Sequence, residues 1–324
     1  MISLEQAHQS IEKRLAEIRF PEEPSNLYKP VQYILSNGGK RIRPSLVLMG
    51  ANVFTDDLTP ALNPAIAIEI FHNFTLLHDD LMDNSLMRRG RDTVHVKWGS
   101  NVAILSGDVM SILANQYISD VSNEILDQVL EVFNHTALKV CEGQMMDMEF
   151  EDRIDVSVDE YIHMIELKTS VLIAASLQIG ALVGGASEKQ AFELYEYGRL
   201  LGIAFQLQDD LLDSYGDSKT FGKKIGNDIL TNKKTFLMIS ALENAGPEDQ
   251  KELRLWLEKK QYDPVQKIRE IKKIFDNCRI RELTTTKIND YFRSSLGKLN
   301  IINVEDQRKS VLRDFANTLM KREM

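Results

Sequence analysis

Helix breakers are scarce along this chain, and that narrows the folds open to it more than any other feature. Its 324 residues contain only 8 prolines and 17 glycines, while Leu, Ile, Ala, Glu, Lys and Met recur in long stretches. Most of these residues lose little freedom on entering a helix. Apolar positions return at three- and four-residue spacing through residues 3–20, 31–35, 44–54, 64–87, 101–120, 122–150, 158–183, 188–215 and 234–244. Pro21 and Pro24 stop the first stretch, Pro64 suits a first turn, and Gly90 lies just past the stretch that Pro64 opens. Strand-type alternation is almost missing. From 247 to 324 charged and apolar residues alternate at helical spacing, as in Leu253, Trp256 and Leu257 and in Ile268, Ile271 and Ile274. That pattern suits surface helices closing a bundle. With no linker and no tandem repeat, the expectation is an all-α, single-domain bundle of long helices over residues 1–324, with 247–324 as its closing helices.

Charge and composition remove several function classes. A formal charge of −9, from 48 acidic and 39 basic residues, argues against a general nucleic-acid surface, which needs a basic excess to neutralise phosphates. Cys141 and Cys278 have neither the number nor the spacing of a disulfide framework or zinc site, and both are read as buried thiols. The N-terminal MISLEQAHQSIEKRLAEIRF is an amphipathic pattern with acidic residues and no apolar core, unlike a signal peptide. No uninterrupted apolar run reaches the roughly 18 residues of a membrane span. The expectation is a cytoplasmic protein without stable membrane insertion.

Chemistry concentrates in two acidic clusters. In HDDLMDNSLMRRG, Asp79 and Asp83 stand at i and i+4 on one helical face with Asp80 beside them; in FQLQDDLLDSYGD, about 130 residues later, Asp209, Asp210 and Asp213 repeat the spacing. Both have apolar flanks: Phe74, Leu76, Leu77, Leu81, Met82 and Leu86 for the first, Phe205, Leu207, Leu211 and Leu212 for the second. Carboxylates gathered beside a core need cations. Magnesium characteristically takes one or two carboxylates plus phosphate oxygens. Two facing triads would hold such ions between helices. An exposed charge run with accidental spacing is the bland alternative for either cluster alone.

Positive charge is grouped as an anionic substrate requires. Gly38-Gly39-Lys40-Arg41-Ile42-Arg43-Pro44 sets three cations beside flexible backbone, and Arg88, Arg89 and Arg91 add three about two turns after the first aspartates. Arginine forks match phosphate oxygens bidentately. Lys168 and Thr169 interrupt an apolar helix, where a lysine needs a partner and a bound phosphate would serve. Lys223 and Lys233 lie in a glycine-interrupted segment able to close as a lid. His72 either bonds a substrate phosphate or satisfies a buried carbonyl.

Taken in order, GGKRIRP, HNFTLLHDDLMDNSLMRRG, LKTS, FQLQDDLLDSYGD, FGKKIGND and NKKT resemble the trans-isoprenyl diphosphate synthase, or polyprenyl synthetase, family from about residue 30 to 240. The resemblance implies an isoprenoid-synthase fold around a central active-site cavity, magnesium as cofactor, and a homodimer. It implies that Asp79, Asp80, Asp83, Asp209, Asp210 and Asp213 bind the metal. Arg88, Lys168, Thr169, Gln206, Lys223 and Lys233 would hold an allylic diphosphate (dimethylallyl, geranyl or farnesyl), and Lys40, Arg43, His72 and Arg89 would hold isopentenyl diphosphate. Where the family has Gly-Lys before its final threonine, this chain has Asn232-Lys233, which bears on the local loop geometry.

The reaction so implied is head-to-tail condensation. An allylic carbocation forms as diphosphate leaves, the double bond of isopentenyl diphosphate attacks it, and a proton is lost. Product length is expected to depend on Phe74 and Thr75, about one and a half turns before Asp79, where a phenyl ring could floor an apolar tunnel. A lone Phe at this place resembles short-chain geranylgeranyl diphosphate synthases and points to a C20 product. A farnesyl or longer product is the alternative. A terpene cyclase needs no second diphosphate pocket. A non-catalytic partner subunit of a heteromeric synthase would be expected to have damaged aspartate or lysine motifs, and those here are intact. A purely structural bundle leaves the acidic clusters without countercharge.

Overall fold

The computed structural model describes residues 1–216 and 225–321 and is helical almost throughout. It divides into two compact units, each assembled from three stretches of chain: Met1–His135, Ala175–Tyr195 and Ile302–Leu312 in the first, Thr136–Ala174, Glu196–Ile301 and Arg313–Met324 in the second.

The first unit contains α1 (Leu4–Glu17), α2 (Ser25–Leu35), α3 (Ile42–Asn52), α4 (Leu62–Met82), α5 (Val94–Trp98) and α6 (Ser100–Ile118), with the beginning of α7 (Leu126–Asp152) and parts of later helices. Ser3 starts α1: its side chain accepts from the Gln6 amide while the Gln6 side chain bonds back to the Ser3 N–H. Such a cap is worth about 1 kcal/mol over alanine. α4 is apolar on all sides and buries every residue from Pro64 to Phe71, as a central helix must. It packs chiefly on α6 and α3. α3 also meets α9 (Val171–Val183) at backbone distance: a Cβ on Gly50 would stand 2.7 Å from the Leu177 carbonyl oxygen, and one on Gly184 would stand 2.7 Å from that of Ala51. Only glycine fits there.

The helix expected over 64–87 ends at Met82. Asn84 adopts a positive φ of 50°, a conformation that Asn tolerates better than most residues. Met87–Arg88 then pairs with Arg91–Asp92 in a two-stranded antiparallel hairpin. Its turn residues, Arg89 and Gly90, both have positive φ (52° and 76°), the geometry that matches strand twist in two-residue hairpins. The arginines therefore stand on a hairpin, off the helix, and Met82 and Leu86, expected to border a core, are exposed.

The second unit holds most of α7, α8 (Val158–Ile165), much of α10 (Glu188–Tyr215), α11 (Asn227–Leu230), α12 (Phe236–Asn244), α13 (Pro247–Glu258), α14 (Pro264–Asn277), α15 (Ile280–Asn300) and the end of α16 (Asp306–Met320). Its core joins Phe150, Tyr161 and Ile165 with Leu207 and Leu211 and with Phe236, Trp256, Ile271 and Phe275. The stretch expected as one helix over 158–183 is interrupted by a π-helical turn at Glu166–Ser170. That stretch is long and apolar enough to pass for a membrane span, where none was expected; most of it is buried in protein, which accounts for its apolarity.

Candidate active site

In the first unit the glycine turn before α3 and the arginine hairpin come together. Arg89 Nη1 donates to the Gly38 carbonyl. Arg43 Nη1 lies 3.2 Å from His72 Nε2, and because guanidinium only donates, the imidazole accepts. Burial, then Arg43, Arg89, Arg88 and Arg41, hold His72 well below the ordinary histidine range, so it is neutral. The ring nitrogen thus meets Arg43 rather than a backbone carbonyl. Arg41, the middle cation of its run, turns inward. With φ at 43° and 4% exposure, it donates to Glu12 at 2.7 Å, to Glu69 at 2.5 Å and to the Leu35 carbonyl at 2.7 Å. Of the other two cations of that segment, Lys40 is exposed and Arg43 half-buried.

Asp80 is buried at 3% exposure, and Arg88 grips it with Nε and Nη2, each 2.8 Å from a carboxylate oxygen. Asp79 is half-buried, and Asp83 is exposed as the C-cap of α4. Phe74 lies 5.6 Å from Phe71 and 4.7 Å from the His78 ring, edge-on to the latter, and Thr75 Oγ1 donates to the His72 carbonyl at 2.8 Å. The His78 ring lies against Gly107 of α6, where a side chain has no room.

In the second unit the π turn presents Lys168 and Thr169. Wider than an α-turn, such a turn inserts one residue and is common at functional sites. α7 approaches it through Gly143, whose Cβ would stand 2.8 Å from the Leu167 carbonyl carbon. Lys168 Nζ donates to Asp147 Oδ2 at 2.5 Å, so the partner this lysine requires is on the protein itself. Thr169 Oγ1 donates to Gln206 Oε1 at 3.2 Å, Gln206 Nε2 to Asp210 Oδ1 at 3.0 Å, and the Tyr161 hydroxyl to Asp210 Oδ2. Burial and the charge of Asp228 push Asp210 up to about 7, against the pull of Lys233 and of the Tyr161 and Gln206 hydrogen bonds. Asp213, also buried, accepts from the Asp228 amide at 2.9 Å. Lys223 lies outside the described residues.

Sequence reasoning missed Asp147 and Asp228. Asp147 sits among Met145, Met146 and Met148, with Glu149 two residues on, and the flanking methionines were its signal. Asp228 ends the FGKKIGND segment. Among the described residues no group of three or more His, Cys, Asp or Glu is gathered as a metal site; Asp80, Asp210 and Asp213 are instead held by protein donors.

The chain as a whole is similar to known proteins. Residues 24–275 match the family described as polyprenyl synthetase. A geranylgeranyl diphosphate synthase of Methanosarcina mazei is 46% identical over 222 residues, 68% of each chain. A geranylgeranyl pyrophosphate synthase of Geoglobus acetivorans is 37% identical over 97% of this chain and 96% of its own. A crystal structure of a geranylgeranyl pyrophosphate synthase, 42% identical, superposes with a TM-score of 0.95 over 100% of both chains. The isoprenoid-synthase fold is therefore shared along the whole length, and the chain belongs to the polyprenyl synthetase family.

Proposed function

We propose that the protein condenses isopentenyl diphosphate head-to-tail with an allylic diphosphate (dimethylallyl, geranyl or farnesyl) to give all-trans geranylgeranyl diphosphate. The observation that carries this reading is the meeting of Lys168, Thr169, Gln206 and Lys233 around Asp210 and Asp147, cations and donors set among buried acids. A second set, Arg43, His72 and Arg89 with Lys40 nearby in sequence, suits the other diphosphate.

The acids fit a divalent cation. Asp210 is buried beside the like charge of Asp228 and resists ionisation, and a metal ion relieves both penalties. In this reading Asp79, Asp80 and Asp83 and Asp209, Asp210 and Asp213 would hold magnesium, which would supply positive charge for a departing diphosphate. Lys168, Lys233 and Arg88 orient the allylic diphosphate and share its developing charge. To do so Arg88 exchanges Asp80, and Lys168 exchanges Asp147, for phosphate oxygens. His72, kept neutral, holds Arg43 toward the isopentenyl diphosphate. Phe74, braced by Phe71 and His78, limits the growing chain to C20.

The same reading makes the chain one domain, since each unit draws on three interleaved stretches and neither is a continuous piece. It makes the enzyme a cytoplasmic homodimer that binds no nucleic acid and does not insert stably in membranes. A stripe on α7, Leu138, Cys141, Met145 and Met148, supports the dimer. Its residues recur at helical spacing, and Leu138 and Met145 are 64% and 55% exposed. Such contiguous apolar faces mark association surfaces. Incubation with labelled isopentenyl diphosphate, magnesium and each of the C5, C10 and C15 primers, followed by product sizing, tests the function. C20 product is expected, and absence of chain elongation with every primer overturns it.

A further inference from the structure

Lys267 of α14 is fully buried, with 0% of its surface exposed. Its Nζ donates to Asn232 Oδ1 at 2.6 Å and to the Leu230 carbonyl at 3.3 Å, and it lies 4.2 Å from the Tyr262 ring centroid. None of these partners carries a formal charge. A buried ammonium is costly without good acceptors, and an apolar side chain of the same length would fill the space with less penalty. What the ammonium adds is a fixed position for Asn232.

Asn232 has a φ of 57°, the left-handed conformation that glycine adopts freely and Asn tolerates. Where the family has glycine before this lysine, Asn232 keeps the backbone shape and adds a side chain that bridges two helices. Its Nδ2 donates to the Leu257 carbonyl of α13 at 3.0 Å, while its Oδ1 accepts from Lys267. Tyr262 adds a hydrogen bond to the Leu230 carbonyl at 2.9 Å. Ile268 packs so close to Gly226 that a Cβ there would stand 2.8 Å from it. On its other side the same segment is tied to the second aspartate cluster: the Gly226 amide donates to the Asp213 carbonyl at 2.6 Å, and the Asp228 amide to its carboxylate at 2.9 Å. The Lys233 amide closes the turn on the Asp228 carbonyl at 2.9 Å. Lys233 follows directly, its charge acting on Asp147 and Asp210.

We propose that Lys267 and Asn232 form a clamp by which the C-terminal helices position Lys233 for the allylic diphosphate. Lys267 is thus a positioning residue that never touches substrate, and the role given to Lys233 rests on the function proposed above. The test compares Lys267→Met and Asn232→Gly with Ile271→Ala, a core change on the same helix. Each protein is assayed for kcat, for KM toward both diphosphates, for melting temperature, and for hydrogen exchange at the Lys233 amide. Lys267→Met and Asn232→Gly are expected to raise KM for the allylic substrate about tenfold, the scale of one lost charge-assisted contact. KM for isopentenyl diphosphate stays at the wild-type value, and Lys233 exchanges faster. Ile271→Ala lowers the melting temperature with both KM values and Lys233 exchange unchanged. Wild-type KM and wild-type exchange in a folded Lys267→Met overturn the clamp. If that variant does not fold, Asn232→Gly decides by the same readouts, because glycine keeps the backbone conformation. If the wild type makes no prenyl product, the function fails, and the exchange data alone decide the clamp.

Discussion

Asp147 carries its charge where burial opposes it, because Lys233 and Lys168 act against burial; its carboxyl is held below the ordinary range. A lowered folded value means that the pair's stabilisation is complete above the unfolded carboxyl pKa, about 4, and is lost as pH falls through the folded value. Asp147→Asn is therefore expected to cost about 1.5–3 kcal/mol at pH 7, the range for hydrogen bonds to charged groups, measured by urea melts. The difference from wild type should close in acid, and a gap that persists well below pH 4 contradicts the assignment. At this scale the sequence told which residue types gather but not which way neighbours point. Lys40, Arg41 and Arg43 read as equivalent cations, yet the left-handed backbone at Arg41 turns its guanidinium onto Glu12 and Glu69. Lys168 was legible as a lysine in need of a partner; that Asp147 supplies it depends on how α7 lies against the π turn, which no local pattern encodes.

The π turn at Glu166–Ser170 is matched by a glycine across from it. A Cβ at Gly143 would press on the backbone of Leu167 and Lys168, so Gly143→Ala is expected to destabilise by roughly 1–3 kcal/mol, as overpacking does. It should also weaken diphosphate binding by shifting Lys168. Calorimetry and a KM series check both, and a variant with wild-type melting and KM rules out the tight approach. Helix identity was readable almost everywhere, because apolar spacing and missing prolines act within one turn: α6 and α10 fall within about two residues of expectation. The end of α4 was not. Residues 83–87 keep a helical apolar rhythm, and the helix stops because Asn84 takes a left-handed turn into the hairpin. The π turn was invisible for a similar reason, since adding one residue to a turn changes periodicity less than ordinary sequence irregularity does.

For the whole molecule, product length is the property that sums the packing. Phe74→Ala removes a ring that Phe71 and His78 brace, and chromatography of its products is expected to show chains at least one five-carbon unit longer than those of the wild type. An unchanged distribution places the floor elsewhere. Association is the second such property. Met145→Glu sets a charge in the middle of the α7 stripe and is expected to convert a dimer to monomer in light scattering, with its helical content intact; a variant that stays dimeric moves the interface off α7. The aspartate motifs that announced the chemistry spoke only for single helices. Which donors satisfy each carboxylate came from tertiary packing, as with Tyr161 on Asp210. The stripe also carries a consequence for handling the protein. Cys141 stands on it in the open, whereas Cys278 is partly buried and its thiol is pushed up by burial and by Asp249, which slows its reaction. Alkylation of the unmutated chain by iodoacetamide thus reads one position, and with α7 as the proposed interface its rate should fall with rising protein concentration, giving a built-in chemical reporter of self-association.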